Sequence, residues 1–269
     1  MSDALRLTAV DGTFYPNQCK ELKKYFEKFN QEFNQHKIDP KIRSITPRAI
    51  LVPHAGYIYS GFTANFAYRF LENATAKRIV VIGPSHYHTF KGVSAGFYEA
   101  FQTPCGNITI DTPYLFALAK KFNIAFHEKA HLKEHSTEVQ MPFIKHYFPK
   151  IPIIELVYGE IACQELVNII VALLQNKDNL VVISSDLSHF YPLKKANEHD
   201  NICLSSLSTL DNSLLHKGCE ACGLNGIEAM IKASKELKLS SKLLDYKTSA
   251  NTLADEKSVV GYVSVMFYL

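Results

Sequence analysis

Four short runs of Val, Ile and Leu stand out from the mixed polar and apolar pattern of this chain. They lie in "RAILVPHAG" (48–56), "KRIVVIGPSHYH" (77–88), "IPIIELVYGE" (151–160) and "NLVVISSDLSHF" (179–190). Each is continuous rather than alternating, which is typical of strands covered on both faces. Stretches with helical spacing are predicted at 16–35, 62–73, 138–148, 160–176, 196–216 and 225–237. This alternation predicts an α/β three-layer sandwich, in which helices flank a central mixed or mainly parallel sheet.

The C-terminal segment "SVVGYVSVMFYL" (258–269) is interpreted as a last strand at or near the edge of the sheet. No repeat, low-complexity segment or Pro/Gly/Ser-rich linker divides the chain. A length of 269 residues, 47% of them hydrophobic, is within the range of one large α/β unit. We therefore predict a single domain over residues 1–269.

Charge and apolar patterning limit the partners that we expect. The formal net charge is only +3, and there is no Lys/Arg block of the kind found in nucleic-acid-binding arms. The first residues, "MSDALRLTAVDG", lack the pattern of a signal peptide. No apolar run approaches the roughly 20 residues of a membrane helix. We expect a soluble, cytoplasmic protein without nucleic-acid or membrane contacts.

Six cysteines in such a protein are not expected to form a disulfide framework. Four are scattered and are interpreted as small, partly buried hydrophobic residues: Cys19, Cys105, Cys163 and Cys203. Cys219 and Cys222 have C-x-x-C spacing just before a helical stretch, where a helix N-terminus stabilises a thiolate. One such pair is a weak zinc signal, and a redox dithiol or two half-buried thiols in a glycine turn are the alternatives.

Three of the four apolar runs end in side chains that can bind metal or transfer protons. "ILVPH" ends at His54, "VVIGPSH" at His86, and "VVISSDLSH" at Asp186 and His189. In open α/β sheets, ligands bind beyond the carboxyl ends of the strands. If these strands are parallel neighbours, the three histidines and the aspartate meet in one crevice. Separately, each histidine could be an ordinary loop residue, and "SDLSH" could be an Asx turn.

The segment "KEHSTEVQMPF" supplies a further candidate, His135, which we expect to point from a loop. Thr137 and Gln140 are spaced like a capping box for the helix that follows. Glu138 would then lie in its first turn, where the helix dipole favours a carboxylate. The remaining histidines are interpreted as surface or packing residues: His36, His88, His127, His131, His146, His199 and His216.

In this order, "VPHAGYIYSG", "IGPSHYH", "EHSTEVQMPF", "SSDLSHF" and "ACG" before an apolar helix resemble the Memo family, also known as AmmeMemoRadiSam system protein B. The resemblance extends from about residue 45 to the C-terminus. The family resembles class III extradiol dioxygenases in fold, and those enzymes hold a non-haem iron with two histidines and a glutamate. The resemblance implies a similar fold here and a possible functional link to a radical-SAM enzyme and an AMMECR-type protein.

The resemblance also implies a metal site made by His54, His86 and Cys222, with Cys222 in place of the dioxygenase carboxylate. His135, Asp186 and His189 would line the same pocket as acid, base or substrate-orienting groups. The second thiol, Cys219, departs from the family pattern and opens the possibility of a disulfide that competes with the metal. Two imidazoles and a thiolate suit iron, with copper and zinc as alternatives.

Three functional hypotheses follow. The first is a metal-dependent redox protein that binds iron or copper, admits a small-molecule or peptide ligand over Tyr57 and Tyr59, and moves protons through His135, Asp186 and His189. The second is a zinc hydrolase in which Asp186 or His189 is the base. The third is a non-catalytic module that recognises a peptide or a phosphorylated ligand. A thiolate is softer than a carboxylate and itself oxidisable, so the dioxygenase reaction is not carried over.

Overall fold

Four parallel strands form the middle of the central sheet in a computed structural model that describes residues 5–72 and 74–269. The strands are β1 (Leu5–Arg6), β2 (Ala49–Val52), β3 (Arg78–Pro84), β4 (Val93–Ala95), β5 (Ala100–Phe101), β6 (Ile108–Thr109), β7 (Ile153–Tyr158), β8 (Asn179–Ser184), β9 (His189–Tyr191), β10 (Ser240–Thr248) and β11 (Val259–Tyr268). The central sheet has the order β10-β11-β2-β8-β3-β7-β4. Strands β2, β8, β3 and β7 run parallel, whereas β10, β11 and β4 pair antiparallel with their neighbours. The sheet is therefore mixed.

The helices lie between these strands in the chain. They are α1 (Cys19–Gln35), α2 (Pro40–Arg43), α3 (Tyr57–Phe70), α4 (Thr112–Phe122), α5 (Glu128–Leu132), α6 (Met141–Tyr147), α7 (Cys163–Gln175), α8 (Leu193–Thr209), α9 (Asn212–Leu215), α10 (Leu224–Glu236) and α11 (Ala250–Leu253), with a 3₁₀ turn at Glu138–Gln140. Helices α1, α3 and α6 pack together, and α3 contacts β2, β10 and β11. Helices α7 and α10 pack against each other and over β8. This arrangement confirms the predicted sheet flanked by helices.

The apolar runs form the core as their pattern predicted. Every residue of β2, β7 and β8 is buried, because helices cover both faces of a parallel sheet. Strand β11 lies next to the edge strand β10, which agrees with the predicted position of the C-terminal strand. Strand β10 itself, the short β4 and helix α4 were not predicted. Residues 1–4, and residue 73 at the end of the predicted helix 62–73, lie outside the described residues.

The capping box predicted after His135 is wrong. The Thr137 side chain makes no cap and instead donates to Glu155 Oε1 at 2.5 Å. The Gln140 amide donates to the Pro53 carbonyl at 2.9 Å. Glu138 is fully buried and is held by Arg6 at 3.0 Å and by backbone N–H groups of the N-terminal segment rather than by a helix dipole. Long-range partners therefore replaced the local ones that the spacing suggested.

No helix in the described part of the chain combines the length and the apolar character needed to cross a bilayer.

Candidate functional site

The sheet order brings the three predicted strand ends together. Strand β8 lies between β2 and β3, and all three are parallel. Their carboxyl ends carry His54, His86 and Asp186. Asp186 and His86 each contact His54, so these strand ends lie close together, as the strand-end rule predicts.

His54 follows β2 at the base of this crevice and is only 1% exposed. Its backbone N–H donates to Asp186 Oδ1 at 2.7 Å. Its ring Nδ1 lies 3.0 Å from Ser184 Oγ, and Nε2 lies 3.2 Å from the Cys222 sulfur. Burial, and then the nearby His86 ring, lower the pKa of His54 to about 3. The imidazole is therefore neutral at physiological pH, which is the form that binds a metal.

His86 follows β3, and its side chain is 27% exposed. Its backbone nitrogen and its ring Nδ1 both contact the fully buried Glu134. The backbone N–H donates to Oε2 at 2.6 Å, and ring Nδ1 lies 2.8 Å from Oε1. The Ser136 N–H also donates to Oε1 at 2.9 Å. Burial opposes ionisation of Glu134, but the hydrogen bonds from His86 and Ser136 outweigh it and lower the pKa to about 2.

Cys222 lies two residues before α10, and its sulfur accepts the Asp186 backbone N–H at 3.3 Å. Burial, and then the Asp186 carboxylate, raise the pKa of this thiol to about 12. The expected stabilisation of a thiolate by the helix N-terminus is therefore outweighed by burial. A coordinating thiol loses its proton to the metal, so Cys222 becomes a thiolate ligand when a metal binds.

The ligand atoms of His54, His86 and Cys222 all lie within 4.8 Å of one another. A second group that meets this distance is His86, Glu134 and His135. In that group, both oxygens of Glu134 already accept hydrogen bonds from His86. In the first group, His54 Nε2 contacts only the Cys222 sulfur, and that sulfur also accepts the Asp186 backbone N–H. Two neutral imidazoles and a thiolate fit a soft or borderline metal with open coordination positions.

His135 points from the loop before the 3₁₀ turn, as expected. Its ring centroid lies 4.5 Å from that of His86 and 5.3 Å from that of His54. Its Nδ1 is buried without a hydrogen-bond partner among the described residues. Burial, and then the two neighbouring histidines, lower its pKa to about 4. His135 is therefore a neutral imidazole beside the candidate ligands.

Asp186 and His189 also lie at the site, but in different roles. Asp186 is 4% exposed, and burial raises the pKa of its carboxyl. Its Oδ1 holds the His54 backbone, so it positions that loop. His189 begins β9, is partly buried, and lines a shallow depression together with Cys222.

Tyr57, predicted to bind substrate, lies in the groove that also contains Tyr59, but most of its side chain is buried. Helix α3 begins at Tyr57, five residues earlier than predicted, and this side chain is 1% exposed. Its hydroxyl donates to the Val139 carbonyl at 3.0 Å, and its ring packs 4.6 Å from Phe143. Tyr59 is partly exposed but lines a groove along α1 with Tyr25 and Phe62. None of the three candidate ligands is among the described residues that line that groove.

The interpretation of four cysteines as unpaired hydrophobic residues is wrong for three of them. Cys19 is bonded to Cys105 and Cys203 to Cys219, with Cα atoms 4.8 and 4.9 Å apart. Cys163 and Cys222 are free. Because Cys219 is bonded to Cys203, it does not form a disulfide with Cys222 within the C-x-x-C motif. Pairing over 86 residues depends on tertiary approach, which spacing alone does not reveal.

Sequence reasoning missed Glu134 and Ser184, the partners of the two candidate histidines. Both lie inside segments that drew attention for other residues, "KEHSTE" and "VVISSD". A carboxylate or hydroxyl near a metal-binding histidine is a common outer partner. Two exposed aromatic residues were also missed: Tyr87 beside His86, and Phe190 beside His189.

Comparison with known families gives a match over almost the whole chain. The profile described as "Memo-like protein" matches residues 6–266. A MEMO1 family protein of Aquifex aeolicus is 34% identical over 273 residues, covering 98% of this chain and 99% of that protein. MEMO1 family proteins of Sulfurisphaera tokodaii and Methanobrevibacter smithii are each 33% identical with the same coverage.

Among solved structures, the chain resembles the uncharacterized protein JW3007 from Escherichia coli K12. The TM-score is 0.53 at 14% identity, covering 81% of this chain and 98% of the other. This likeness shows a shared fold.

Proposed function

This chain belongs to the Memo-like protein family, and we propose that it is a metal-binding protein that holds iron through His54, His86 and Cys222 and carries out redox chemistry. The observation that carries the proposal is the convergence of three ligand atoms within 4.8 Å from three separate segments. Copper is the first alternative metal, and zinc is the second.

Burial acts in opposite directions on two of the proposed ligands. Because the pKa of His54 is low, its ring is unprotonated at neutral pH, and no proton competes with the metal for the ring nitrogen. Burial of Cys222 keeps the thiol protonated until a cation replaces the proton. When bound, such a metal supplies open coordination positions and, for iron or copper, electron transfer to a ligand.

The chain's own residues define how protons are handled. His135 is neutral, its Nδ1 has no hydrogen-bond partner among the described residues, and it is the best-placed acid or base beside the metal ligands. His189 is the second. Asp186 orients the His54 loop through Oδ1 and is a positioning residue rather than a base.

Two exposed aromatic residues beside the site histidines indicate what kind of ligand binds there. Tyr87 and Phe190 are 55% and 73% exposed, and each directly follows a site histidine. Exposed aromatic rings of this kind bind apolar or aromatic groups. We propose a small-molecule or peptide ligand that contacts Tyr87 and Phe190, in place of the entry over Tyr57 and Tyr59. The cytoplasmic location and the link to a radical-SAM enzyme and an AMMECR-type protein stay predictions.

The test is elemental analysis of protein purified without oxygen and without an affinity-tag metal. Wild type is compared with Cys222→Ala, and Cys163→Ala is the control because Cys163 is the other free thiol. We expect near-stoichiometric iron in wild type and Cys163→Ala, and loss of iron in Cys222→Ala.

Other outcomes redirect the proposal. Copper in the same pattern would change the metal but keep the redox proposal. Zinc without dioxygen uptake would favour the hydrolase, with His189 as base. Equal metal in wild type and Cys222→Ala, or none in either, would overturn the three-ligand site and favour the binding module.

A further inference from the structure

The two candidate metal-binding histidines share one outer support, the turn formed by Glu134, His135 and Ser136. Glu134 contacts His86 directly. Ser136 reaches His54 through one intermediate, because its carbonyl accepts the Ser184 hydroxyl at 2.6 Å. A single short turn therefore stands behind both rings.

The hydrogen bonds around Ser184 fix the direction of the bond to His54. The one hydroxyl hydrogen of Ser184 is donated to the Ser136 carbonyl. The Gln140 amide nitrogen also donates to the Pro53 carbonyl, so it is the NH₂ group, and it donates to Ser184 Oγ at 3.0 Å. Ser184 Oγ can then only accept from His54 Nδ1, at 3.0 Å. His54 carries its hydrogen on Nδ1, and its Nε2 lone pair faces Cys222 at 3.2 Å.

The Nδ1 atom of His86 is likewise the hydrogen-bond donor in its contact with Glu134. Glu134 accepts two backbone N–H groups, from His86 at 2.6 Å and Ser136 at 2.9 Å, so both oxygens are acceptors. The ring Nδ1 that lies 2.8 Å from Oε1 is therefore a donor. This leaves Nε2 of His86 as the lone-pair nitrogen that belongs to the three-ligand group.

The turn is itself held in place. The Arg6 guanidinium donates to the Glu134 carbonyl at 3.0 Å and to Glu138 at 3.0 Å. The Ser136 hydroxyl donates to the carbonyl of Pro84, two residues before His86, at 2.8 Å. Glu134, Ser136 and Ser184 are all fully buried. A rigid, buried acceptor set of this kind orients metal-binding histidines and raises their basicity.

We propose that the Glu134–Ser136 turn is a shared outer clamp that sets both histidines in the Nδ1–H tautomer before any metal arrives. Glu134 is the positioning residue for His86, and Ser184, anchored on Ser136, is the positioning residue for His54. The link to metal affinity rests on the proposed function, whereas the tautomers themselves do not.

The first test uses metal-free wild-type protein and ¹⁵N NMR of the histidine rings. Both His54 and His86 are expected to carry hydrogen on Nδ1 and none on Nε2. A mixture of tautomers, or hydrogen on Nε2 of either ring, would overturn the clamp. This result stands even if the protein turns out not to bind metal.

The second test is an anaerobic Co²⁺ titration, with Co²⁺ as a redox-stable probe. Glu134→Gln replaces one acceptor oxygen with an NH₂ group, so the ring or the backbone N–H of His86 loses its acceptor. Ser184→Ala removes the acceptor of His54. Each is expected to lower Co²⁺ affinity by about 10- to 100-fold, and unchanged affinity in both would contradict the proposal.

Matched controls separate this effect from general damage. Glu155→Gln makes the same change in a second histidine–glutamate pair, outside the three-ligand group, and the remaining side-chain oxygen can still accept the Thr137 hydroxyl. Ser264→Ala removes a buried hydroxyl that has no hydrogen-bond partner among the described residues. Both controls are expected to keep wild-type Co²⁺ affinity. If the controls lose affinity as the clamp variants do, the loss reflects folding and the clamp is rejected.

Discussion

The chain contains two histidine–glutamate pairs with nearly equal geometry and different surroundings. His86 Nδ1 lies 2.8 Å from Glu134, and His131 Nδ1 lies 2.9 Å from Glu155. In the first pair the histidine side chain is 27% exposed, whereas in the second both side chains are fully buried. The pairs differ in what the other ring nitrogen meets. The site pair leaves Nε2 for a ligand, and the core pair uses Nε2 on Ser94 Oγ at 2.8 Å.

The core pair also shows why hydrogen-bond order alone does not make an active site. Ser94, His131 and Glu155 are linked in the order of a serine–histidine–acid triad. All three are fully buried, and the serine hydroxyl also accepts the His127 backbone N–H at 2.8 Å. No substrate reaches such a hydroxyl. The network instead joins β4, α5 and β7, and accessibility is what distinguishes the two pairs.

The largest contrast is expected from removing each histidine. His131→Ala leaves the Glu155 carboxylate buried without its hydrogen bond to His131, so we expect a loss of about 3–5 kcal/mol in the free energy of unfolding. His86→Ala removes a candidate ligand, so we expect loss of metal. Urea denaturation and elemental analysis of both variants check this.

The reverse pattern would break the comparison. His131→Ala that folds with wild-type stability would show that the core pair is not structural. His86→Ala that retains full iron would remove the site pair from the metal centre. Metal content is expressed per folded molecule, so that the instability of His131→Ala does not count as loss of metal.

The second contrast is in pH dependence of the metal-free protein. His135 has a folded pKa of about 4, below the unfolded value of 6.5. Between pH 6.5 and about 4, His135 is protonated in the unfolded chain but not in the folded one. The free energy of unfolding therefore falls as the pH drops through this range. One proton corresponds to about 1.4 kcal/mol per pH unit. His135→Asn should remove that part of the slope.

The carboxylate of the core pair, Glu155, affects stability at lower pH than His135 does. Burial raises the pKa of Glu155, but the His131 charge and hydrogen bond outweigh it, so the pKa lies below 4.5. Its contribution is present above 4.5 and is lost as pH falls below that value. Glu155→Gln should therefore change the acid limb only. Urea midpoints between pH 3 and 7 separate the two regions, and a slope above pH 4.5 that is unchanged in His135→Asn would contradict the assignment.

The site pair was partly predictable from sequence, and the core pair was not. His54, His86 and Asp186 were found because a strand-end position is a local signal that the sheet turns into proximity. Glu134 and Ser184 act through contacts 48 and 130 residues away in the chain, which no local spacing encodes. His131 was interpreted as a surface or packing residue, and packing is correct. No local spacing pointed to its partner Glu155, which lies 24 residues away in the chain.

The same reasoning explains the errors. Tyr57 was placed at an entrance because it follows His54, but the helix starts there and turns the ring into the α1–α3 interface. Thr137 and Gln140 matched a capping pattern, yet stronger buried partners used both side chains. The disulfides were missed because compartment and spacing were the only signals. Fold class follows from periodicity, whereas outer contacts require the tertiary structure.

The smallest expected effect concerns backbone strain on the site side. Phe190 has φ +64° within β9, although its ring is 73% exposed. Among the described residues, Asn123, Leu210, Lys238 and Ala254 also have positive φ, but each lies just after the C-terminal end of a helix, where this conformation is ordinary. A left-handed non-glycine residue costs about 1–2 kcal/mol. Strained backbone conformations of this kind cluster at active sites and ligand-binding sites, where the surrounding structure holds them in place.

Phe190→Gly should therefore stabilise the protein by up to about 1 kcal/mol, because relief of strain exceeds the added entropy of the unfolded chain. Ala254→Gly is the matched control, because Ala254 has φ +55° at the C-terminal end of α11. Urea denaturation measures both. Co²⁺ affinity of Phe190→Gly should equal that of wild type, because this ring is assigned to the organic ligand and not to the metal. If Phe190→Gly is instead destabilised, the exposed ring packs on its own neighbours, and the strain belongs to the fold rather than to the site.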